Sequence, residues 1–217
     1  MKGTAGTVYE VSKGHEPVAG CTVSDTLWED GRHRLSLFSL GAGTDISQEL
    51  YAYRRIQLVL DGTMLATGER EQELAVGDAI VTPIGCPVGV RADDDATYLE
   101  LALDLRTSVN DAVPEGEAFR LADLVPYRDG RIVNMDVASD DAFKLALLAF
   151  DEGTGLSPHG APGDALLLAL DGEATIDYEM REHPIRAGQA FKFNAGGRHA
   201  VRADKRFKMA LLVTLGG

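Results

Sequence analysis

Two histidines, His159 and His199, are the side chains of this sequence best suited to chemistry, and both lie in the Gly-rich stretch 153–203. An imidazole can ligate a divalent transition metal, act as a general base near neutral pH, or hydrogen-bond a ligand. Stable metal sites usually have three or four protein ligands, so two imidazoles alone hold a divalent ion weakly. The chemistry therefore depends on what the neighbouring elements place beside the two histidines.

The histidines lie among short apolar runs that are separated by turn residues, such as Asp61-Gly62 and Asp171-Gly172. Short strands at near-regular spacing, with Gly-marked turns between them, predict an all-β sandwich or barrel. The runs are Leu35–Leu40, Ile56–Leu60, Ala79–Thr82, Val88–Val90 and Tyr98–Leu103 in the first half, and Phe143–Phe150, Ala165–Leu170, Ala174–Tyr178, Ala190–Phe193, His199–Val201 and Phe207–Val213 in the second.

The two series of runs are copies of one another. Leu60-Asp61-Gly62 recurs as Leu170-Asp171-Gly172. At the same offset, the pattern Gly-Thr-x-x-Ser that begins at Gly43 recurs at Gly153. Several matches in register indicate a duplicated domain, and each copy is large enough to have its own core.

The segment between the two copies is polar. Residues 106–117 contain Pro114 and lack an apolar period, which predicts a linker. We therefore divide the chain into an N-terminal domain, residues 1–105 with an irregular lead-in, and a C-terminal domain, residues 118–217. The apolar spacing in residues 119–125 predicts a short helical turn at the start of the second domain.

The composition argues against several classes of partner. The formal net charge is −13, and an acidic surface repels nucleic-acid phosphates and anionic lipids. The sequence has no apolar run long enough to cross a membrane and no apolar segment of a secretory signal, so we expect a cytoplasmic location, no nucleic acid and no membrane. Cys21 and Cys86 are too few for a disulfide framework. Motifs of nucleotide-binding, α/β-hydrolase and thioredoxin chemistry are missing.

The sequence around the histidines resembles the cupin superfamily. The first cupin motif, G-x5-H-x-H-x3,4-E-x6-G, is matched in part by Gly153–Gly172, and the second, G-x5-P-x-G-x2-H-x3-N, in part by Gly188–Ala203. The resemblance covers residues 26–105 and 118–215. It implies a bicupin, an all-β protein with two tandem double-stranded β-helix (jelly-roll) barrels. The C-terminal half is similar to small uncharacterised cupins in residues 121–130, 150–176 and 206–213.

In metal-binding cupins four side chains hold the ion, and the resemblance places two of them in the C-terminal half. His159 stands at the first His position and His199 at the second-motif His position. Ala161 replaces the second His, and Ala165 stands at the Glu position. Asp164 could supply a third ligand, which would complete the two-His-one-carboxylate set that suits Fe(II).

Strand geometry opposes Asp164 as a ligand. Adjacent side chains of a strand point to opposite faces, so Asp164 faces outward if Ala165 faces inward, unless a bulge redirects it. Two alternatives stay open at this point. One is a single divalent transition metal (iron, manganese, zinc or nickel) held by His159, His199 and Asp164, and the other is a pair of metal-free histidines in a polar pocket.

The same alternation predicts which residues face the interior of the C-terminal barrel. Ala165, Leu167 and Ala169 would share the inward face, where small apolar residues leave room for a ligand. An apolar cavity with a few convergent polar groups is the usual form of a small-molecule site, whereas small barrels commonly have filled interiors. The candidate pocket consists of His159, Ala161, Ala165, Leu167, Ala169 and His199.

The N-terminal copy departs further from the family pattern. The four ligand positions are occupied by Glu49, Tyr51, Arg55 and Val88, so no metal site of the family type is expected there. Glu49 and Arg55 could form an ion pair inside the barrel, since a buried charge needs a partner. Alternatively, Arg55, Tyr51 and Gln57 could bind an anionic or hydroxylated ligand.

Three functions remain open from the sequence, because the cupin scaffold hosts many unrelated activities. The first is binding of a small molecule in the C-terminal barrel. The second is a metal-dependent enzyme of the dioxygenase or isomerase type that uses His159 and His199. The third is a structural or interaction module with filled barrels. Exposed sheet edges need cover, which either a homodimer or an intrachain pseudo-dimer of the two barrels would supply.

Overall fold

A computed structural model describes residues 1–215 of the chain. Over these residues it contains twenty β-strands and one short 3-10 helix, so the predicted all-β class is confirmed. In chain order the strands are β1 (Val8–Tyr9), β2 (Thr22–Glu29), β3 (Arg34–Leu40), β4 (Thr44–Leu50), β5 (Arg55–Asp61), β6 (Thr63–Thr67), β7 (Gln72–Ala75), β8 (Asp78–Thr82), β9 (Pro87–Ala92), β10 (Ala96–Ala102), β11 (Ser108–Val109), β12 (Phe119–Arg120), β13 (Ile132–Ser139), β14 (Phe143–Phe150), β15 (Gly155–Gly160), β16 (Ala165–Tyr178), β17 (Arg181–Arg186), β18 (Ala190–Phe193), β19 (Arg198–Arg202) and β20 (Phe207–Thr214).

The predicted helical turn is present as the 3-10 helix Leu121–Leu124, which directly follows β12. None of the described residues belongs to a helix that is long and apolar enough to cross a bilayer.

The chain folds into two compact units. The N-terminal unit consists of Ser12–Thr107 and Asp111–Leu121. The C-terminal unit consists of residues 1–11, 108–110 and 122–215.

These units differ from the sequence-based division at two places, and strand pairing is the reason in both. Residues 1–11 belong to the C-terminal unit because β1 pairs with β18. Residues 111–121 belong to the N-terminal unit because β12 pairs with β8. The segment 106–117, predicted to be a linker, contains β11, which pairs with β13 of the C-terminal unit, and Glu115, which forms an isolated bridge with Val81 of the N-terminal unit.

The N-terminal unit has two sheets with a core between them. The strand order is β12-β8-β5-β10-β3-β2 in the six-stranded sheet and β4-β9-β6-β7 in the four-stranded sheet. Val59 and Tyr98 of the first sheet lie in one apolar cluster with Met64, Leu74 and Val90 of the second. Leu74 alternates with the exposed Glu73 and Ala75, as the period of a β-strand requires, whereas the leucines beside Val59 and Tyr98, at positions 58 and 99, are themselves buried.

The C-terminal unit is organised around β16. The first part of this strand, Ala165–Leu168, pairs with β18 and β20, and its last part, Thr175–Tyr178, pairs with β17 and β19. The register with β20 shifts between Ala169 and Asp171, where the strand passes from one pair of neighbours to the other. A single long strand therefore corresponds to β5 and β6 of the other copy.

A glycine marks this passage in both copies. Gly62 and Gly172 have φ angles of 71° and 72°, a region that disfavours other residues. A Cβ atom at either position would overlap a backbone carbonyl oxygen, that of Asp95 or that of Arg206. The repeated Leu-Asp-Gly sequence therefore adopts the same backbone conformation, with a positive φ at glycine, in both copies.

Candidate functional site

The structure brings His159 and His199 together. His159 on β15 and His199 on β19 lie directly opposite each other in an antiparallel pair. Directly opposed residues share one face of a sheet, and the two ring centroids are 4.3 Å apart. The pairing of two strand segments distant in sequence thus creates a histidine pair in the C-terminal unit.

Hydrogen bonds to backbone carbonyls determine the tautomer of both neutral rings. The Nδ1 atom of His159 lies 2.8 Å from the carbonyl oxygen of Ser157, and the Nδ1 atom of His199 lies 3.0 Å from that of Gly197. A carbonyl oxygen only accepts, so each Nδ1 carries the proton and donates it. In the neutral state, each Nε2 atom therefore has a free lone pair.

The two histidines have different surroundings. His159 is exposed, whereas His199 is buried and packs against the Phe193 ring at a centroid distance of 4.2 Å. Burial lowers the pKa of His199 below its ordinary value, because it disfavours the charged ring, and a charge on His159 would lower it further. The hydrogen bond to the Gly197 carbonyl acts in the opposite direction. The surroundings of His199 therefore favour the neutral form of its ring.

Gly197, which packs closely against Tyr178, positions His199 through a backbone hydrogen bond. Gly197 lies in the turn between β18 and β19, and its carbonyl accepts the His199 hydrogen bond. A Cβ atom at position 197 would lie 2.7 Å from Cε2 of Tyr178 and 2.8 Å from its hydroxyl oxygen. Tyr178 is also the partner of His199 across β16 and β19. The aromatic ring and the glycine thus determine together where the histidine backbone runs.

Asp164 does not join the histidine pair. Its Oδ1 atom accepts a hydrogen bond from the Ala195 amide at 3.1 Å, and its Oδ2 atom lies 3.6 Å from Nζ of Lys192. Within residues 1–215, no group of three or more His, Cys, Asp or Glu side chains is placed to hold a metal ion. The predicted three-ligand set of His159, His199 and Asp164 is therefore not formed. Asp164 precedes β16, and its carboxylate is directed towards the Ala195 amide and Lys192, so the residues present do not fit the family's metal site.

The other residues of the candidate pocket lie in the apolar core of the C-terminal unit. Ala165 and Leu167 are opposite Phe193 and Phe191, whose ring centroids are 4.9 Å apart. The Tyr178 ring lies within 5.7 Å of both phenylalanine rings. These aromatic side chains occupy space beside the small residues, which are Ala161, Ala165 and Ala169.

The N-terminal copy has a polar cluster at the equivalent positions. Glu49 on β4 lies opposite Val88 on β9, in the same arrangement as the histidine pair of the other copy. The hydroxyl of Tyr51 donates a hydrogen bond to Glu49 at 2.5 Å, and the Arg55 guanidinium lies 3.6 Å from the centre of the Tyr51 ring. The pKa of Tyr51 is raised to about 12 by burial and by this hydrogen bond, although Arg55 opposes the shift.

The ion pair predicted between Glu49 and Arg55 is replaced by a different one. Nη1 of Arg55 donates to Glu100 at 3.2 Å, and Nε2 of Gln57 donates to the same carboxylate at 2.9 Å. Glu100 is the acceptor because β10 pairs with β5 and places it opposite Gln57. This neighbour could not be identified from the motif, since it comes from a strand outside both motifs.

Comparison with known proteins agrees with this architecture. A cupin-domain family model matches residues 146–215. The C-terminal part of the chain is thus similar to the cupin-domain family. A cupin 2 conserved barrel domain protein from Leptotrichia buccalis shares 24% identity over 99% of each chain, with a TM-score of 0.85, which confirms the bicupin fold.

More distant structures share the fold alone. A mutant salicylate 1,2-dioxygenase from Pseudoaminobacter salicylatoxidans, solved in complex with gentisate, is 12% identical over 98% of this chain and 83% of its own, with a TM-score of 0.67. Protein Ylba from E. coli is 11% identical over 97% of this chain and 92% of its own, with a TM-score of 0.61. No curated protein matches the sequence.

Proposed function

We propose that this cupin binds a small molecule at the mouth of its C-terminal barrel, where His159 and His199 act as hydrogen-bond acceptors. One observation carries the proposal: two opposed imidazoles each donate Nδ1–H to a backbone carbonyl, at 2.8 Å and 3.0 Å. In the neutral form of each imidazole, the Nε2 atom is then an acceptor. A ligand with hydroxyl or amine donors suits such a pair.

The exposure of the two rings supports the same assignment. His159 is open to solvent, so a ligand can reach it, while His199 is 7% exposed and held by its contact with Phe193. A rigid buried acceptor beside an accessible one lowers the entropy lost when a ligand is bound. The apolar residues behind the pair would contact the non-polar part of the molecule.

A metal-dependent dioxygenase or isomerase is the second candidate. One observation favours it: metal-ligating histidines usually donate their other ring N–H to a carbonyl or carboxylate, as both rings do here. The missing third protein ligand counts against it, because two imidazoles bind a divalent ion weakly. Ligand binding without a family-type metal site is therefore the function supported best.

Binding can be tested with a panel of small alcohols and amines that includes glycerol, catechol and 1,3-diaminopropane. We expect saturation-transfer NMR to detect at least one binder, and we expect His159→Ala and His199→Gln to abolish its binding. His183→Gln is the matched control, because His183 lies on β17 of the same unit, outside the pair. A panel without binders, or equal binding by His159→Ala, would contradict the proposal and favour a structural module.

Metal titration separates the two candidates. Metal-free protein is titrated with Fe(II), Mn(II), Zn(II) and Ni(II) while bound metal per chain is measured. The proposal predicts weak binding below one ion per chain. Tight binding of one ion per chain that His159→Ala abolishes would replace the proposal with the enzyme candidate.

A further inference from the structure

The N-terminal barrel contains a buried polar cluster with unused hydrogen-bonding groups, formed by Arg55, Gln57 and Glu100. Gln57 on β5 lies opposite Glu100 on β10, and Arg55 is two residues before Gln57, so the three side chains share one face of the sheet. Arg55 is 5% exposed and Gln57 is fully buried. Buried polar side chains normally have partners for all their groups, which makes the unused ones informative.

Two donors of Arg55 have no hydrogen-bond partner among residues 1–215. Its Nη1 atom donates to Glu100 at 3.2 Å, whereas Nε and Nη2 are buried without a hydrogen bond. The two unpaired nitrogens lie on the same edge of the planar guanidinium. This edge is the one to which a carboxylate binds with two parallel N–H···O bonds. An unpaired charged donor in the interior costs free energy that a ligand carboxylate would recover.

Gln57 has an unused acceptor beside the same group. Its Nε2 atom donates to Glu100 at 2.9 Å, and its Oε1 atom is buried without a hydrogen bond. A carboxylate such as Glu100 only accepts, so the amide orientation is fixed with Oε1 pointing away from it. Oε1 is thus available to a donor such as a hydroxyl or an ammonium group.

Tyr51 leaves the unpaired edge of Arg55 free. The guanidinium carbon lies 3.6 Å from the centre of the Tyr51 ring, so the ring covers a face of the group. Donors in the guanidinium plane stay able to form hydrogen bonds while a face is stacked. Stacking and the Glu100 pair together hold Arg55 in one orientation.

One cavity of the N-terminal unit reaches the cluster at Glu100, and a second is lined by residues beside Arg55. One, of about 240 Å³, is lined by Glu100 itself and by Ser36 and Tyr53, among others. The other, of about 470 Å³, is lined by Thr82, which lies opposite Arg55 on β8, and by Val88, among others. Both volumes are large enough to admit a molecule of a few non-hydrogen atoms.

We propose that the N-terminal barrel binds a small carboxylate that carries a neighbouring hydroxyl or ammonium group. The carboxylate accepts from Nε and Nη2 of Arg55, and the neighbouring group donates to Oε1 of Gln57. Because Glu100 already balances the charge of Arg55, the hydrogen-bond geometry supplies most of the affinity. This site is independent of the histidine pair and lies in the other barrel.

The test compares lactate with propionate, which has the same carboxylate and lacks the hydroxyl. Calorimetric titrations use sodium salts, with sodium chloride at matched ionic strength as the reference. We expect lactate to bind about threefold tighter or more, because one additional hydrogen bond forms. Arg55→Lys keeps the charge but removes the planar edge, and should weaken lactate binding about tenfold or more. Gln57→Met should remove the preference for lactate and leave propionate binding in place.

Two control variants test whether the loss of lactate binding is specific to the proposed site. Arg91→Lys changes a solvent-accessible arginine of the same unit, and His183→Gln changes a histidine of the other barrel outside the pair, so both should bind lactate as the wild type does. A second readout needs no variant: the Arg55 Nε–H signal in ¹⁵N–¹H spectra should shift on addition of lactate. The proposal is overturned if chloride produces the same shift, if lactate produces none, or if a folded Arg55→Lys binds lactate with unchanged affinity.

Discussion

Arg55 and Glu100 form an ion pair inside the N-terminal barrel, with 3.2 Å between Nη1 and Oε2. Their side chains are 6% and 12% exposed, so solvent screens the pair little. The attraction within a buried pair is offset by the cost of desolvating both ions. Removal of one partner is different, because the remaining charge stays buried without compensation. The pair therefore contributes little net stability, whereas the loss of one partner alone destabilises the unit.

Glu100→Ala should lower the free energy of unfolding of the N-terminal unit by about 3–5 kcal/mol, the range for breaking a buried pair. Urea denaturation at pH 7 measures the change. The double variant Arg55→Met/Glu100→Leu should be less destabilised than the single variant, since no charge is left unpaired. Glu71→Ala, which removes an exposed partner of Arg91, should change stability by about 1 kcal/mol or less. Equal changes in the free energy of unfolding for Glu100→Ala and Glu71→Ala would contradict a buried ion pair between Arg55 and Glu100.

Tyr51 should ionise late, at a pH of about 12, because burial and the hydrogen bond to Glu49 raise its pKa. A raised pKa means that the neutral phenol is favoured in the folded state. The corresponding stability is present below the ordinary value of 10.0 and is lost as the pH rises from there to about 12. Ultraviolet titration of wild type and Tyr51→Phe isolates the residue. Glu49→Gln should shift the ionisation to lower pH, and an unchanged midpoint would count against the contact.

His199 should titrate below its ordinary pKa of 6.5, because burial disfavours the charged imidazole. The stability linked to the neutral ring is complete above pH 6.5 and is lost as the pH falls from there through the folded-state pKa. NMR titration of the ring protons gives the midpoint. His159→Gln should raise it, since a neighbouring positive charge is removed, whereas His183→Gln should not. A midpoint for His199 at or above 6.5 would show that the ring is not desolvated.

Gly197→Ala should destabilise the C-terminal unit by about 1–3 kcal/mol, as expected for overpacking. The new Cβ atom would lie 2.7 Å from the Tyr178 ring, so the ring or the turn before His199 must move. Gly160→Ala is the matched control, because its Cβ atom would meet its nearest neighbour at 3.4 Å. Thermal unfolding measures both variants, and the His159–His199 ring signals report the displacement. Similar stability of the two variants would argue against close packing at Gly197.

Strand spacing and local repeats were sufficient to predict the all-β class and a duplicated domain, whereas the jelly-roll fold was implied by the resemblance to the cupin superfamily. The Leu-Asp-Gly sequences that end at Gly62 and Gly172 encode a backbone conformation with positive φ, which only glycine adopts without strain. Such signals depend on the residues themselves and are readable without tertiary information. The opposition of His159 and His199 could likewise be anticipated, since both occupy motif positions on strands of one barrel.

Partners supplied by distant strands could not be predicted. Arg55 was assigned to Glu49, within its own motif, but the pairing of β5 with β10 supplies Glu100. The strand β1 has only two residues, too short for a periodic signal, and its pairing with β18 is determined by an unpaired sheet edge. Asp164 was a ligand candidate by residue type, while the orientation of its side chain depends on the local course of the backbone before β16.

The pairing of β1 with β18 also affects the order in which the strands can pair during folding. Nζ of Lys192 on β18 donates to the carbonyl of Met1, 191 residues away along the chain. The strand β1 therefore cannot pair until β18 has been synthesised. Contacts of such long sequence separation slow folding. The sheet of the C-terminal unit can therefore gain β1 only after the intervening N-terminal unit and β18 have been synthesised.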